Sequence, residues 1–329
     1  MTETAASYLD IYLGPLRDQL ARADVTDLYI NRPHELWIEV LGGGIERHDA
    51  PEVTEALLWR LARQVASVTH QGISREHPLL AARLPDGARI QIVAPPATRG
   101  PMAVAIRKHV SAQLSLADYG TQGAFDTTRG GGSASAVDAE LSRLHGAGEW
   151  EALVRLAVRA KKTILVSGGT STGKTTFLNA LIREIPAHER LLLIEDTPEL
   201  AVEHDNLVGL VAVRGTMGEA RVTSDDLLTA SLRMRPDRII LGEIRGPEAL
   251  AFLRAVNTGH PGSLSTIHAN SPAQALEQLA LLILQAGTSL RRSDIIEYAR
   301  NVINVVVQMD NREGRRVISE VNFNAATSA

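Results

Sequence analysis

A chain of 329 residues with 44% apolar and 22% charged residues is long enough for two domains around well-buried cores. Its 34 basic and 38 acidic residues leave a net charge of −4 with no long basic run, which counts against a free-standing nucleic-acid binder. With no cysteine there is no disulfide, no cysteine-based zinc site and no thiol nucleophile, and no stretch approaches the roughly 18 apolar residues of a membrane span.

Residues 5–21 carry Tyr8, Leu9, Ile11, Tyr12, Leu13, Leu16 and Leu20 at helical spacing. Their polar face is not rich in Lys or Arg, so a packed helix is expected rather than a membrane-surface one. No basic segment precedes an apolar one here, so no signal peptide is expected. Strands are predicted at 27–31 and 35–40, broken by Arg32-Pro33 and ended by Gly42-Gly43-Gly44. Apolar residues recur at helical spacing over 53–68, with Glu52 or Thr54 near the start. Pro85-Asp86-Gly87 is a turn signal between strands at 79–84 and 89–93, and a further strand follows at 102–107. These elements predict a small α+β domain over residues 1–110. Residues 127–135 are flexible by composition, so 111–146 reads as an interdomain linker and 147–329 as the second domain. Such a linker either lets the halves move or is merely a surface loop.

From 150 onward strand and helix signals alternate. Strands are expected at 163–167, 190–195, 207–213, 238–242, 263–267, 303–308 and 316–323. Helices are expected at 175–184, 224–233, 247–257, 271–287 and 292–300, with Ser224 and Ser271 as amino-terminal caps. The unalternating runs Leu191-Leu192-Leu193-Ile194 and Ile239-Ile240-Leu241 suit strands buried on both faces of a mostly parallel sheet. The second domain therefore reads as α/β.

Between its first strand and first helix lies Gly168-Gly169-Thr170-Ser171-Thr172-Gly173-Lys174-Thr175, a full match to G-x-x-x-x-G-K-[ST]. The glycines let successive backbone N–H groups turn inward around phosphate oxygens, and the helix that follows, with Thr176 in its first turn, presents its positive end to them. Lys174 would reach the β- and γ-phosphates and the Thr175 hydroxyl would ligate Mg²⁺, so ATP with Mg²⁺ is the expected cofactor pair. Glu243 stands at the carboxyl end of strand 238–242, where open α/β sheets place their ligands. It is expected to orient the attacking water and to hold Mg²⁺, directly or through a water. Glu195-Asp196 ends a neighbouring strand in the same manner, and His268 ends a third. Glu243, Glu195 and His268 are the expected catalytic set.

In order, the phosphate loop, Ile194-Glu195-Asp196, Leu241-Gly242-Glu243-Ile244-Arg245, Thr258-Gly259-His260 and Ser265-Thr266-Ile267-His268-Ala269 resemble the Walker A, aspartate-box, Walker B and histidine-box motifs of the secretion-superfamily ATPases. In the first half, Asp24 to Pro33, Leu84-Pro85-Asp86-Gly87-Ala88-Arg89, Ala94-Pro95-Pro96 and Ile106-Arg107-Lys108 are similar to the type IV secretion traffic ATPases. So are Leu114 to Tyr119 and Gln122 to Phe125, and the likeness covers about residues 15–310. It implies a RecA-like ATPase domain behind a smaller amino-terminal domain. It also implies a homohexamer on the cytoplasmic face of the inner membrane, docked on membrane components and other ATPases of a secretion or conjugation apparatus. In that family basic residues of the amino-terminal half complete the phosphate site, and Arg89 and Arg107 occupy the matching positions. Arg245, Arg233 and Arg235 are weaker candidates within the site or across the ring. Loss of the γ-phosphate would then release the arginines and turn the halves about the 110–147 segment. The absent tetracysteine module argues against the pilus-assembly and type II relatives. Other readings are a pilus or type II motor of the same superfamily, a nucleic-acid helicase, or a scaffold that binds ATP without hydrolysing it.

Overall fold

The computed structural model describes residues 8–108, 115–126, 128, 135–213 and 219–324. Most of the Gly/Ser-rich stretch at 127–135 lies outside them. In the first half, six strands form an antiparallel sheet: β1 (Val25–Ile30), β2 (Glu35–Val40), β3 (Ile45–Asp49), β4 (Leu79–Arg83), β5 (Arg89–Val93) and β6 (Ala103–Arg107), ordered β3-β2-β1-β6-β5-β4. Strands β4 and β5 pair across the Pro85-Asp86-Gly87 turn, with Gly87 at φ +92°, a conformation open to glycine at little cost. The triple glycine lies just past the end of β2, as expected. It reverses the chain so that Glu39 faces Ile45, and β3 runs back along β2 as a half-exposed edge with little apolar signal.

The helix expected over 5–21 is interrupted. Residues 8–12 are helical, a 3₁₀ turn holds Gly14–Leu16, and α1 is confined to Arg17–Ala21. Pro15 lacks the N–H that a continuous helix needs. Leu9 and Leu16 are buried in the amino-terminal core, so this segment packs as an ordinary element. Helix α2 (Glu55–Val68) begins at Thr54, whose Oγ1 accepts from the Leu57 N–H at 3.2 Å. It buries Leu58, Leu61, Ala62, Val65 and Ala66, spaced three and four apart, on one face of the sheet.

Strand alternation decides how the halves meet. Leu28, Ile30, Val104 and Ile106 point toward α2. Tyr29, Ala103 and Ala105 point the other way, into a cluster shared with Leu192, Ile194, Ile239 and Leu241 of the second half. At the junction the fully buried Arg190 lies 4.1 Å from the centre of the Tyr29 ring and donates to Asn31 Oδ1 at 2.7 Å and Asn206 Oδ1 at 2.6 Å. Burial lowers its pKa to about 10. Residues 97–99 run along the edge of the second sheet, where Val211 N–H donates to Ala97 O and Arg99 N–H to Gly209 O. Rotation of the halves about residues 110–147 would have to open this common core.

The second sheet, in order β13-β12-β7-β11-β10-β8-β9, comprises β7 (Ile164–Gly168), β8 (Leu191–Glu195), β9 (Leu207–Val211), β10 (Arg238–Ile244), β11 (Leu264–Ile267), β12 (Val305–Arg312) and β13 (Arg315–Phe323). All pairings are parallel except β12 with β13. Helices α3 (Leu116–Thr121), α4 (Ala136–Ala147), α5 (Trp150–Arg159), α6 (Lys174–Ile182), α7 (Ser224–Ser231), α8 (Glu248–Asn257), α9 (Pro272–Gln285) and α10 (Arg292–Val302) complete the described elements. Helices α4, α5 and α6 cover one face of this sheet and α7 to α10 the other. Leu141 and Leu144 of α4 belong to the second core, so part of the stretch read as linker packs with the second half. Thr223, one residue before the expected Ser224, caps α7, and its hydroxyl and Asp226 form a reciprocal capping box. Ser271 caps α9 as expected, with Pro272 at the first position.

Candidate active site

Strand β7 ends at Gly168, the chain turns through 169–173, and α6 starts at Lys174. Two positions of positive φ, Ser171 at +61° and Gly173 at +93°, shape the loop. A methyl group on Gly168 would lie 2.5 Å from Thr172 Oγ1 and 2.8 Å from Met309 O, so only glycine fits beneath the turn. Thr172 Oγ1 braces it by donating to Gly169 O at 2.9 Å. Thr170 and His268 both line a cleft of about 600 Å³. Thr175 and Thr176 sit in the first turn of α6, and the Thr175 hydroxyl donates to Glu199 Oε2 at 3.4 Å.

Strand order lays the rest of the site out in a line. From β7 the next strands on one side are β11, β10 and β8, and their carboxyl ends present His268, Glu243 and Glu195 in that sequence. At about 4.8 Å per strand, Glu243 stands roughly 10 Å and Glu195 roughly 14 Å from the phosphate-loop strand. Strand β10 does not stop at Gly242 as expected but continues to Ile244 through a register shift against β11 between Leu241 and Ile244. Such a bulge re-aims a side chain, here Glu243, at the sheet's edge. A methyl group on Gly242 would lie 3.1 Å from Glu195 Cγ, so glycine permits the close approach of β8.

The polar groups form a chain across these strand ends. The Lys174 ammonium donates to Gly168 O at 3.0 Å, to Gly169 O at 2.9 Å and to His268 Nε2 at 3.2 Å. His268 Nδ1 in turn meets Glu243 Oε1, and the other Glu243 oxygen accepts from Arg245 Nε at 2.7 Å. With the lysine donating to Nε2, this pattern requires the neutral His268 tautomer with its proton on Nδ1. Burial pulls the Lys174 ammonium below its ordinary pKa of 10.5, with Glu243 opposing the fall and Arg245 adding to it.

Glu195 is employed differently. Its Oε1 accepts the Glu199 and Leu200 N–H groups at 2.9 Å each, and its Oε2 pairs with the Arg99 guanidinium. Arg99 also donates to Leu200 O at 2.9 Å. Glu195 therefore fastens the turn at 196–200 and ties it to the first half. Nothing in the sequence pointed to Arg99, because its place depends on pairing with strand β9 more than a hundred residues away.

Arg89 and Arg107 are not brought to the phosphate loop of their own chain. They gather with Arg83 and Lys108 in one cleft, and Arg107 shares a second with Lys161, Arg235, Asp237 and His260. Lys161, Asp237 and His260 precede β7, β10 and β11, so this is the amino edge of the sheet, about 13 Å or more from its carboxyl edge. Arg235 donates to Glu39 at 2.6 Å at the same edge, and Arg233 stands exposed in the turn before β10. Of the second-half arginines raised by the sequence, Arg245 alone lies within the site.

A phosphate loop on a central parallel strand, with strand-end Glu and His beside it and helices on both faces, defines a RecA-like P-loop nucleoside triphosphatase. Residues 134–320 match the type II/IV secretion system protein family, and the chain belongs to it. It is 39% identical to the type IV secretion system protein PtlH of Bordetella pertussis over 319 residues, covering 94% of each chain. It is 35% identical to VirB11 of Bartonella henselae over 326 residues, covering 94% of this chain and 91% of that one. The crystal structure of the VirB11 ATPase from the Brucella suis type IV secretion system, in complex with sulphate, superposes with a TM-score of 0.91 at 37% identity. That match covers 98% of this chain and 99% of the other. Fold, phosphate loop and kinship are those of a secretion ATPase that hydrolyses ATP.

Proposed function

We propose that the chain hydrolyses Mg²⁺·ATP as one subunit of a homohexamer that powers a type IV secretion apparatus, moving effector protein or conjugative DNA or building its pilus. The observation that carries this is the ordered strand edge, phosphate loop then His268 then Glu243, in a chain that matches secretion ATPases along nearly all its length. The same kinship supports a place at the cytoplasmic face of the inner membrane, against membrane components and partner ATPases. Among the described residues no helix is long and apolar enough to cross a membrane.

Backbone N–H groups of 170–176 would hold the phosphates, and Lys174 would leave the Gly168 and Gly169 carbonyls and His268 to meet them. Thr175 is the residue to ligate Mg²⁺. With one hydroxyl from the chain, the rest of the ion's shell would be phosphate oxygens and water in the hollow that Thr175 lines. Glu199, Asp196 and Glu243 supply oxygen acceptors around the same hollow for that water shell. When bound, the ion neutralises charge on the transferring phosphoryl group. Departure of Lys174 from Nε2 frees His268 to turn with Glu243, which then orients the attacking water. Glu195 is assigned to positioning, since it is buried and its carboxylate fastens the turn at 196–200 and pairs with Arg99. Arg89 and Arg107, at the far edge of their own subunit, would complete the phosphate site of a neighbouring copy.

Turnover per chain, measured against protein concentration with Mg²⁺ and without nucleic acid, tests this reading. A steep rise with concentration that Lys174→Ala abolishes is expected. Turnover that is independent of concentration would remove the ring, and turnover unaffected by Lys174→Ala would remove the site.

A further inference from the structure

The side of the phosphate loop away from the carboxylates is built from β12 and β13. Met309 of β12 pairs with Gly168, and the two strands continue past the loop as a hairpin through Arg312, Glu313, Gly314, Arg315 and Arg316. Up to Glu320 the hairpin is in register, with Val305 facing Phe323, Val307 facing Val321 and Gln308 facing Glu320. Beyond it the register shifts, so that Met309 faces Ile318 and Asn311 faces Arg316, leaving Ser319 as the extra residue of a bulge.

The bulge has a definite effect on side-chain direction. Cross-strand partners share a face, and Val305, Val307, Met309 and Val321 all lie in the cluster beneath α6. Without the extra residue, Asn311 would face Val317 and that face would end in a valine. With it, Arg316 falls on the α6 face. A methyl group on Gly173 would lie 2.8 Å from Arg316 Cδ and 3.5 Å from its Nε, so the arginine stem lies directly over the last loop residue before Lys174. The side chain is exposed, and among the described residues it has no hydrogen bond or ion pair. An arginine stem packed beside the amino end of a helix, with its charge unpaired, is set to take an anion held by that helix.

We infer that Arg316 is a nucleotide-positioning residue that grips the inner phosphates of the bound nucleotide from the side opposite Glu243. This rests on the phosphate loop being the nucleotide site, as proposed above. The γ-phosphate must face Glu243 and His268, so the part of the nucleotide leaving toward β12 and β13 is the α-phosphate end. ADP carries that end as ATP does. Arg316 then serves both nucleotides equally and holds ground and transition states alike, which is the signature of binding rather than of chemistry.

The test compares wild type, Arg316→Leu, Arg316→Lys and Lys174→Ala, binding a fluorescent ADP with Mg²⁺ at two salt concentrations and turning over ATP. Leucine keeps a stem against Gly173 and removes the charge. For Arg316→Leu, ADP affinity is expected to fall about ten-fold or more and KM for ATP to rise by a similar factor, with kcat unchanged. Arg316→Lys should recover most of the loss, and the affinity of Arg316→Leu should depend less on salt than that of wild type. Arg316→Leu binding ADP as wild type does would overturn the inference, as would a fall in kcat at unchanged KM. A loss that lysine does not mend would assign the side chain to stacking or packing and overturn the phosphate contact. Wild type failing to bind ADP, or Lys174→Ala binding it normally, would instead strike the nucleotide site itself. Thermal melting separates all of these from misfolding.

Discussion

The two ends of the same parallel strands carry charge in opposite ways. At the amino ends, Arg238 is fully buried and donates from both Nε and Nη2 to Glu189, at 2.7 and 2.8 Å, and also to Val158 O. Arg190 is equally enclosed a few residues away. At the carboxyl ends, Arg245 and His268 are about half exposed and share the carboxylate of Glu243, while Lys174 is pinned only by carbonyls and an imidazole. A buried pair that loses one partner leaves an uncompensated charge, so Arg238 and Glu189 are fixed in one arrangement. The open edge can exchange partners with a ligand at little cost. The difference separates what holds the sheet from what works on it, and substitutions at the two edges should report on different measurements.

The largest effect is expected from Lys174→Ala, which should bring ATP turnover below detection while the melting temperature stays close to wild type. Glu243→Gln comes next. Steady-state turnover should fall by about 10² to 10⁴, with ATP retained unhydrolysed on the protein in a filter-binding assay. Normal hydrolysis by this variant would end its assigned role. At the other edge Arg238→Met should act in reverse, costing about 3–5 kcal/mol of stability in chemical denaturation while the surviving folded fraction keeps its kcat. An Arg238→Met protein as stable as wild type but catalytically dead would erase the distinction between the edges.

A smaller effect concerns pH. Burial alone would raise the pKa of Glu189, but Arg238, with help from Lys161, outweighs it and holds the carboxyl below its ordinary 4.5. A carboxylate with a depressed folded-state pKa contributes stability above its unfolded value and loses it as pH falls through the folded one. Wild-type stability should therefore drop more steeply below about pH 4.5 than that of Glu189→Gln. Parallel curves would mean that the pair is not coupled to folding in this way.

Local signals carried much of this structure. Pro85-Asp86-Gly87 announced the β4–β5 hairpin, the apolar spacing of 53–68 announced α2, and the phosphate loop with Glu243 and His268 was legible because each motif sits at a strand end. Features that depend on long-range pairing were not. Strand β3 lacks an apolar alternation because it is an edge. Arg99 reaches Glu195 only because residues 97–99 add themselves to β9. The bulges at 242–243 and at Ser319 are properties of strand pairs, and no single strand announces them. Arg89 and Arg107 matched a motif, but a motif does not say to which copy of the chain an arginine delivers its charge.

The central claim, an assembled ATPase whose phosphate site takes arginines from a neighbour, can be met with one mixing experiment. Lys174→Ala and the double variant Arg89→Ala/Arg107→Ala are each expected to be inactive alone. Mixed and allowed to reassemble, they should regain turnover, since some sites then combine an intact phosphate loop with an intact neighbouring pair of arginines. A mixture as inactive as its components, with mixed assembly shown by differently tagged chains, would place arginines and phosphate loop on one chain and contradict the account.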